Sequence, residues 1–279
     1  MGDIVCLNGR FLPREEAAIP ADDRGFLYGF GLFETVLVLA GRPVLWPRHY
    51  RRLAAGCRSL GLPAPADPEE LIQSTVERNG GGDGALRVTW SAGIPGGEGN
   101  LVITARPLPH RDYGRGYRAG WAGARRNETS ALVRHKTTCY LENLLARGKA
   151  RHDGFDEVLF LNTAGRLAEA SAGNVFLIRG RRLVTPDEEQ GLLPGIVRGL
   201  VLELAPAAGL VPEERAVEPR ELAAADEVFL TNSLLGVMPL VEVSGQAVGR
   251  PGEKTAVLRR LVEQVFRAEA AKEGTSRQE

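Results

Sequence analysis

Lys136 closes the run ALVRHK, and two threonines separate it from the pattern YLENLLARGKARH. The run reads as a short strand and the pattern as a helix, so the lysine stands at a strand end. Desolvation at such a place favours the neutral amine, which forms a Schiff base with a carbonyl compound. Further along comes LAEASAGNVF, with Glu169 near the end of a strand and small residues after it. Next is LLPGIVRG, which opens a helix whose first N–H groups, at Ile196 and Val197, have no partner inside the helix. TNSLLG (231–236) offers Asn232 and Ser233 after another strand, and Arg52 in RHYRRL offers a guanidinium. Together these meet the demands of pyridoxal phosphate. The amine takes the aldehyde, the carboxylate pairs with the pyridine nitrogen, and amides, hydroxyl and arginine surround the phosphate. Each residue alone is an ordinary surface or turn residue; their combination and order carry the reading. His49 reads as structural.

The elements that must position these groups follow from periodicity. DIVCLNGRFLP reads as a hairpin turning at Asn8-Gly9, and LFETVLVLAGRPVLW as one turning at Gly41. A helix from Pro47 to Gly61 aligns Leu53, Cys57 and Leu60, and another runs from Asp67-Pro68 to near Gly80. ALRVTWSAG and NLVITARPLP pair as strands. RPLPHRDYGRG (106–116) is rich in proline, glycine and charge and marks the domain boundary. Beyond it, the helix after Lys136 aligns Tyr140, Leu141, Leu144 and Leu145 on an apolar face. Strands follow at EVLFLN, GRLAEA, NVFLI, RRLVTP and EVFLTN. One helix carries Ile196, Val197, Leu200, Val201 and Leu204, and a C-terminal helix carries Val257, Leu258, Leu261, Val262 and Val265. This is an α/β (α+β) chain with a smaller N-terminal domain (1–108), a linker (109–116) and a larger C-terminal domain (117–279).

Composition narrows the functions. The chain has 279 residues, 43% of them hydrophobic, enough for one large core or two modest ones. Its 35 basic and 35 acidic residues balance, so no net field draws nucleic acid or an anionic membrane. The three cysteines fit neither a disulfide framework nor a metal site. With no signal-peptide pattern at MGDIVCLNGR and no apolar run near the ~20 residues of a membrane span, the expectation is cytoplasmic. The GGGDG run (80–84) lacks the spacing of a phosphate loop.

The segment EASAGNVF (169–176), then LVT (183–185), then LPGIVR (193–198) resembles the signature of the class IV aminotransferases, the fold type IV pyridoxal phosphate enzymes. DRGFLYGFGLFET (23–35) resembles that family's N-terminal segment, with Phe30 where aspartate is common. HYRRL (49–53) and KTTCYLENLLARGKARHDGFDEVLFLN resemble its phosphate-arginine and Schiff-base-lysine segments, so the resemblance covers nearly the whole chain. It implies Lys136 as the catalytic lysine and proton shuttle and Glu169 as the partner of the ring nitrogen. Arg52, the amides of Ile196 and Val197, Ser233 and Asn232 are implied around the phosphate, with Tyr140 near the ring hydroxyl and Asn174 also binding cofactor. Phe33 and Tyr28 are implied on the substrate side. A two-domain fold with the cofactor in the interdomain cleft, and a homodimer, are further implications.

Within that family the resemblance leans toward 4-amino-4-deoxychorismate lyase, which forms 4-aminobenzoate and pyruvate for folate synthesis. GLFETVLV and LTNSLLGVMPL are similar to lyase segments, and Lys136 and Tyr140 are spaced one residue closer than in branched-chain enzymes. The loop GIPGGEGN (93–100) lacks the arginine and histidine of D-amino acid enzymes. Against the lyase, TWSAG lacks that group's arginine before glycine, and Phe30 departs from pattern. The alternatives are an amino acid transaminase of branched-chain or D-amino acid type, or an inactive pyridoxal phosphate-binding homologue.

Overall fold

Two tight turns shape the first sheet. Asn8-Gly9 and Ala40-Gly41 both hold positive φ (50° and 82°, 48° and 74°), the conformation whose twist matches the strands of a hairpin. In the computed structural model, which describes residues 3–271, they join β1 (Ile4–Leu7) to β2 (Arg10–Pro13) and β3 (Gly31–Leu39) to β4 (Arg42–Pro43). With β5 (Gly84–Ser91) and β6 (Asn100–Arg106) they form a six-stranded antiparallel sheet in the order β2-β1-β6-β5-β3-β4. Alternation sends Val36, Val38, Leu86, Val88 and Ile103 to one face. There they bury against Trp46 of α2 (Trp46–Ser59) and against Ile72 and Val76 of α3 (Glu69–Arg78). The opposite face carries Phe33, Thr35, Arg87, Thr89 and Thr104, because their partners in the ladder are one another.

Glu34 points to the helix-covered face and is buried there. Arg52 of α2 donates to both its oxygens, from Nε (2.9 Å) and Nη2 (2.7 Å), and His49 Nδ1 lies 2.7 Å from Oε2. Burial alone would raise its carboxyl pKa. The Arg52 charge and the His49 and Arg52 hydrogen bonds outweigh that and lower it to about 2. Burial pushes the His49 ring the other way, below its ordinary value, so it stays neutral. A second buried acid, Asp23, opens α1 (Arg24–Tyr28). It accepts from the amides of Gly25 and Phe26, from Ser91 Oγ (2.6 Å) and from Asn100 Nδ2 (2.5 Å), which ties the short helix to β5 and β6.

The rest of the chain builds a nine-stranded mixed sheet from β7 (Tyr117–Arg126), β8 (Glu157–Asn162), β9 (Leu167–Ala170), β10 (Asn174–Arg179), β11 (Arg182–Thr185), β12 (Val211–Glu214), β13 (Glu227–Asn232), β14 (Gly236–Val243) and β15 (Gln246–Ala247). Its order is β12-β11-β10-β13-β14-β7-β8-β9, with β15 on β14. α4 (Leu141–His152) contacts β7 and β8, and α5 (Ile196–Leu204) contacts β13. The first amides of α6 (Glu253–Ala271), at Lys254 and Thr255, are capped by Glu227. The described chain forms two compact units: residues 3–109, 136–139 and 264–271, and residues 110–135 and 140–263. No described helix is long and apolar enough to cross a membrane.

Three expectations need correction. Residues 131–134 form a 3-10 turn rather than a strand, because Ser130 Oγ caps the Leu132 amide and turns the backbone. Lys136 therefore follows a turn. The apolar stripe of α4 does not face its sheet: Leu141, Leu144 and Leu145 are 60–65% exposed, while Asn143 and Ala150 are buried. β7 and β14 were not expected. β7 is rich in glycine and arginine, and β14 starts on the glycine of a turn signal.

Acid should unfold the first unit through these carboxylates. Their folded pKa values lie below the unfolded ones, so the stability they give is complete above pH ~4.5 and is lost as pH falls toward ~2. For Glu34 this is on the order of 3 kcal/mol. Charging the buried His49 adds to the loss below pH ~6.5. Denaturant midpoints measured across pH should show this acid limb, and Glu34→Gln should flatten it while costing about 3–5 kcal/mol at neutral pH.

Candidate functional site

β3 fixes the lysine. The Phe33 amide donates to the Lys136 carbonyl (2.8 Å) and the Thr138 amide to the Gly31 carbonyl (2.9 Å), with an antiparallel bridge between Leu32 and Thr137. Thr138 Oγ1 adds a bond to the Gly29 carbonyl (2.6 Å). Lys136 Nζ lies 4.5 Å from the centre of the Phe33 ring, and the Arg87 guanidinium carbon lies 3.6 Å from it. Phe33 is buried, Lys136 and Arg87 half-buried, and both cations lie over the electron-rich faces of one aromatic ring. Arg52 shares this unit, its guanidinium aimed by Glu34. Tyr28 lies on α1 and is 72% exposed.

A second cluster gathers around Glu169, the penultimate residue of β9, opposite Phe160 of β8. Its Oε2 accepts from the Leu193 amide (3.0 Å), and its Oε1 lies 3.2 Å from Nε of Arg126. Tyr140 precedes α4 and donates to the Ser171 carbonyl (2.7 Å), which Asn143 Nδ2 also meets (2.8 Å). Burial first, then the charges of Glu169 and Glu157, push the phenol pKa up to about 12, so it is a proton donor at neutral pH. Beneath it, Ser171 Oγ donates to the buried Glu157.

The turn into α5 is built by Asn174, whose Nδ2 donates to the Leu193 carbonyl (2.9 Å). Gly195 is required there, since a Cβ would stand 2.0 Å from Asn174 Oδ1. No side chain caps the helix that follows, which leaves its first amides to another acceptor. Across the ladder, Asn174 pairs with Thr231, whose hydroxyl is buried (the residue is 1% exposed) and has no partner. Asn232 next to it is spent on structure: Nδ2 donates to the Ala172 carbonyl, and Oδ1 accepts from the Leu234 and Leu235 amides. Its side chain shapes the turn at Ser233. The side chain of Asn174 likewise positions a turn.

These residues fit pyridoxal phosphate. An uncapped helix terminus, an orphaned buried hydroxyl and a carboxylate seated by an arginine are what a dianion and a protonated pyridine need. Sequence reasoning missed Arg87, Arg126 and Thr231. Arg87 had a signal, a lone charge inside the alternating strand ALRVTW. Arg126 had none, because β7 itself was not recognised.

The family described as "Amino-transferase class IV" matches residues 31–243. The chain is 30% identical to the aminodeoxychorismate lyase of Bacillus subtilis over 278 residues, covering 92% of this chain and 93% of that one. It is 29% identical to a putative branched-chain-amino-acid aminotransferase of Methanocaldococcus jannaschii, covering 91% and 93%. The crystal structure of a branched-chain aminotransferase from Thermoproteus uzoniensis with norvaline superposes with a TM-score of 0.89 at 29% identity, covering 97% of each chain. The chain therefore belongs to the class IV aminotransferases, which are pyridoxal phosphate-dependent enzymes.

Proposed function

We propose that this enzyme is a 4-amino-4-deoxychorismate lyase, releasing pyruvate and 4-aminobenzoate. The observation that carries the reading is Arg87 stacked on Phe33 beside Lys136. The substrate is an amino-bearing ring with two carboxylates. A guanidinium next to the reacting amine suits one carboxylate, and an aromatic surface suits the ring. The loop at 93–100 supplies no arginine or histidine for a small D-amino acid, and the similarity to the Bacillus subtilis lyase spans nearly the whole chain.

Pyridoxal phosphate, when bound, supplies an aldehyde for the substrate amine and a ring that accepts electrons. Lys136 is the base that takes the proton from the substrate carbon bearing nitrogen. Its backbone bonds to β3 hold the amine to one position while it does so. Glu169 would keep a proton on the ring nitrogen, and Tyr140, protonated at neutral pH, would reach the ring oxygen only by turning its one O–H away from the Ser171 carbonyl. By resemblance to the family, the amides of Ile196 and Val197 and the Ser233 hydroxyl would hold the phosphate, with Arg52 the implied cation. Loss of the proton together with the neighbouring carbon–oxygen bond leaves an aromatic ring and expels the enolate of pyruvate, which takes up a proton to become pyruvate.

A branched-chain transaminase is the second reading, favoured by the Methanocaldococcus jannaschii and Thermoproteus uzoniensis relatives. There Arg87 would take the distal carboxylate of a dicarboxylate acceptor. The exposed stripe of Leu141, Leu144 and Leu145 supports a homodimer, in which a second copy covers it.

Purified protein should form 4-aminobenzoate from aminodeoxychorismate and turn over D-alanine poorly. Brisk leucine or D-alanine transamination without 4-aminobenzoate would reverse the choice. Arg87→Ala should lower kcat/KM by about 10²-fold, on the order of 3 kcal/mol of lost charge-assisted binding. The visible band of the bound cofactor should disappear on borohydride treatment and be absent in Lys136→Ala. Sedimentation should give a dimer, and Leu144→Glu should shift it toward monomer.

A further inference from the structure

We propose that Arg126 is a positioning residue for the cofactor: it keeps Glu169 ionised and seated, and thereby sets how tightly the protein holds the ring nitrogen. This deepens the cofactor assignment above and rests on it.

Arg126 closes β7 in register with Asn162 of β8, and Glu169 of β9 stands opposite Phe160. Alternation places Phe160, Asn162, Arg126 and Glu169 on one face of the sheet. The guanidinium lies on the Phe160 ring, 3.8 Å from its centre, and the residue is 6% exposed. Nη1 reaches Glu142 Oε2 on α4 (2.5 Å), and Nε lies 3.2 Å from Glu169 Oε1. That Nε–H is buried and makes no aligned hydrogen bond. Its hold on Glu169 is therefore charge, not a directional bond.

A buried carboxylate is costly to keep ionised unless opposite charge or hydrogen bonds accompany it. An opposite charge at this range lowers a carboxyl pKa by ~1–3 units. Arg126, buried and 3.2 Å from Glu169 Oε1, favours the ionised carboxylate, the form that pairs with a protonated pyridine nitrogen.

The competing role is structural, a staple from β7 to α4 through Glu142. Stripped protein titrated with pyridoxal phosphate, with the visible band as readout, separates the two. Arg126→Gln should weaken cofactor Kd by about tenfold or more and change the band. Arg126→Lys should restore most of the affinity, since charge rather than the guanidinium fork is what matters. Glu142→Gln should leave both unchanged. In the Glu169→Gln background, Arg126→Gln should cost nothing further, because the two act as one unit. Wild-type affinity in Arg126→Gln, an Arg126→Lys variant as weak as Glu169→Gln, or full additivity in the double variant would each overturn the proposal. If Arg126→Gln does not fold, Arg126→Lys and the double-variant comparison made with Lys decide it. Absence of any band in the wild-type protein would instead sink the cofactor assignment, leaving this proposal without its premise.

Discussion

The short ladder between Gly31–Phe33 and residues 136–138 is the constraint on which the first unit's chemistry depends. Two backbone hydrogen bonds, at 2.8 and 2.9 Å, fix the lysine against a strand rather than leaving it on a loop. Because side chains alternate along that strand, one register sets several things together. Phe33 turns to the face where Arg87 and Lys136 meet it. Glu34 turns to the other, where it is sealed under α2 and holds Arg52 in a two-point grip. A slip of one residue would exchange these faces and bury Phe33 under the helix. The turn at Gly29 and the Thr138 bond to its carbonyl guard against that slip.

In the second unit the equivalent constraint is the convergence on the segment before α5. Leu193 offers its amide to Glu169 and its carbonyl to Asn174, so one residue seats both the carboxylate and the helix entry. Gly195 must lack a side chain because Asn174 occupies the space. The uncapped terminus is thus a consequence of how the turn is built. Its cost in unsatisfied amides is offset only when an anion arrives.

Much of this was legible in the sequence where local chemistry dominates. The Asn8-Gly9 turn, the paired strands of the first sheet and the helix opening at Gly195 follow from turn residues and periodicity. The family signature marked Glu169 and the α5 entry before any geometry was known, and its roles for Lys136 and Arg52 are ones the local geometry suits. Most of what escaped depended on partners distant in sequence, residues 131–134 excepted. Residues 131–134 have β-branched and apolar content but turn because Ser130 caps them. The leucines of α4 read as a core stripe, yet a helix pattern records only that a face is apolar, not what covers it. β7 was missed because YRAGWAGARR has neither alternation nor β-propensity, and it becomes a strand by lying between β14 and β8. Missing the strand meant missing Arg126 at its end.

The first sheet also suggests how one frame serves different reactions. Its helix-covered face is apolar and closely packed, and substitutions there carry the cost of cavities or overpacking. The face bearing Phe33, Thr35, Arg87, Thr89 and Thr104 is half-buried apart from Phe33, and it lies outside the apolar clusters formed with α2 and α3. Exchanges on that face change charge and shape near the lysine without disturbing the packing that holds β3 straight. A lyase and a transaminase need the same base at the same carbon. They differ in whether the substrate carries a leaving oxygen and in where its second charge lies. Side chains of the unpacked face are free to vary in charge and shape while the frame stays the same, so a shared fold over the whole length does not by itself fix the reaction.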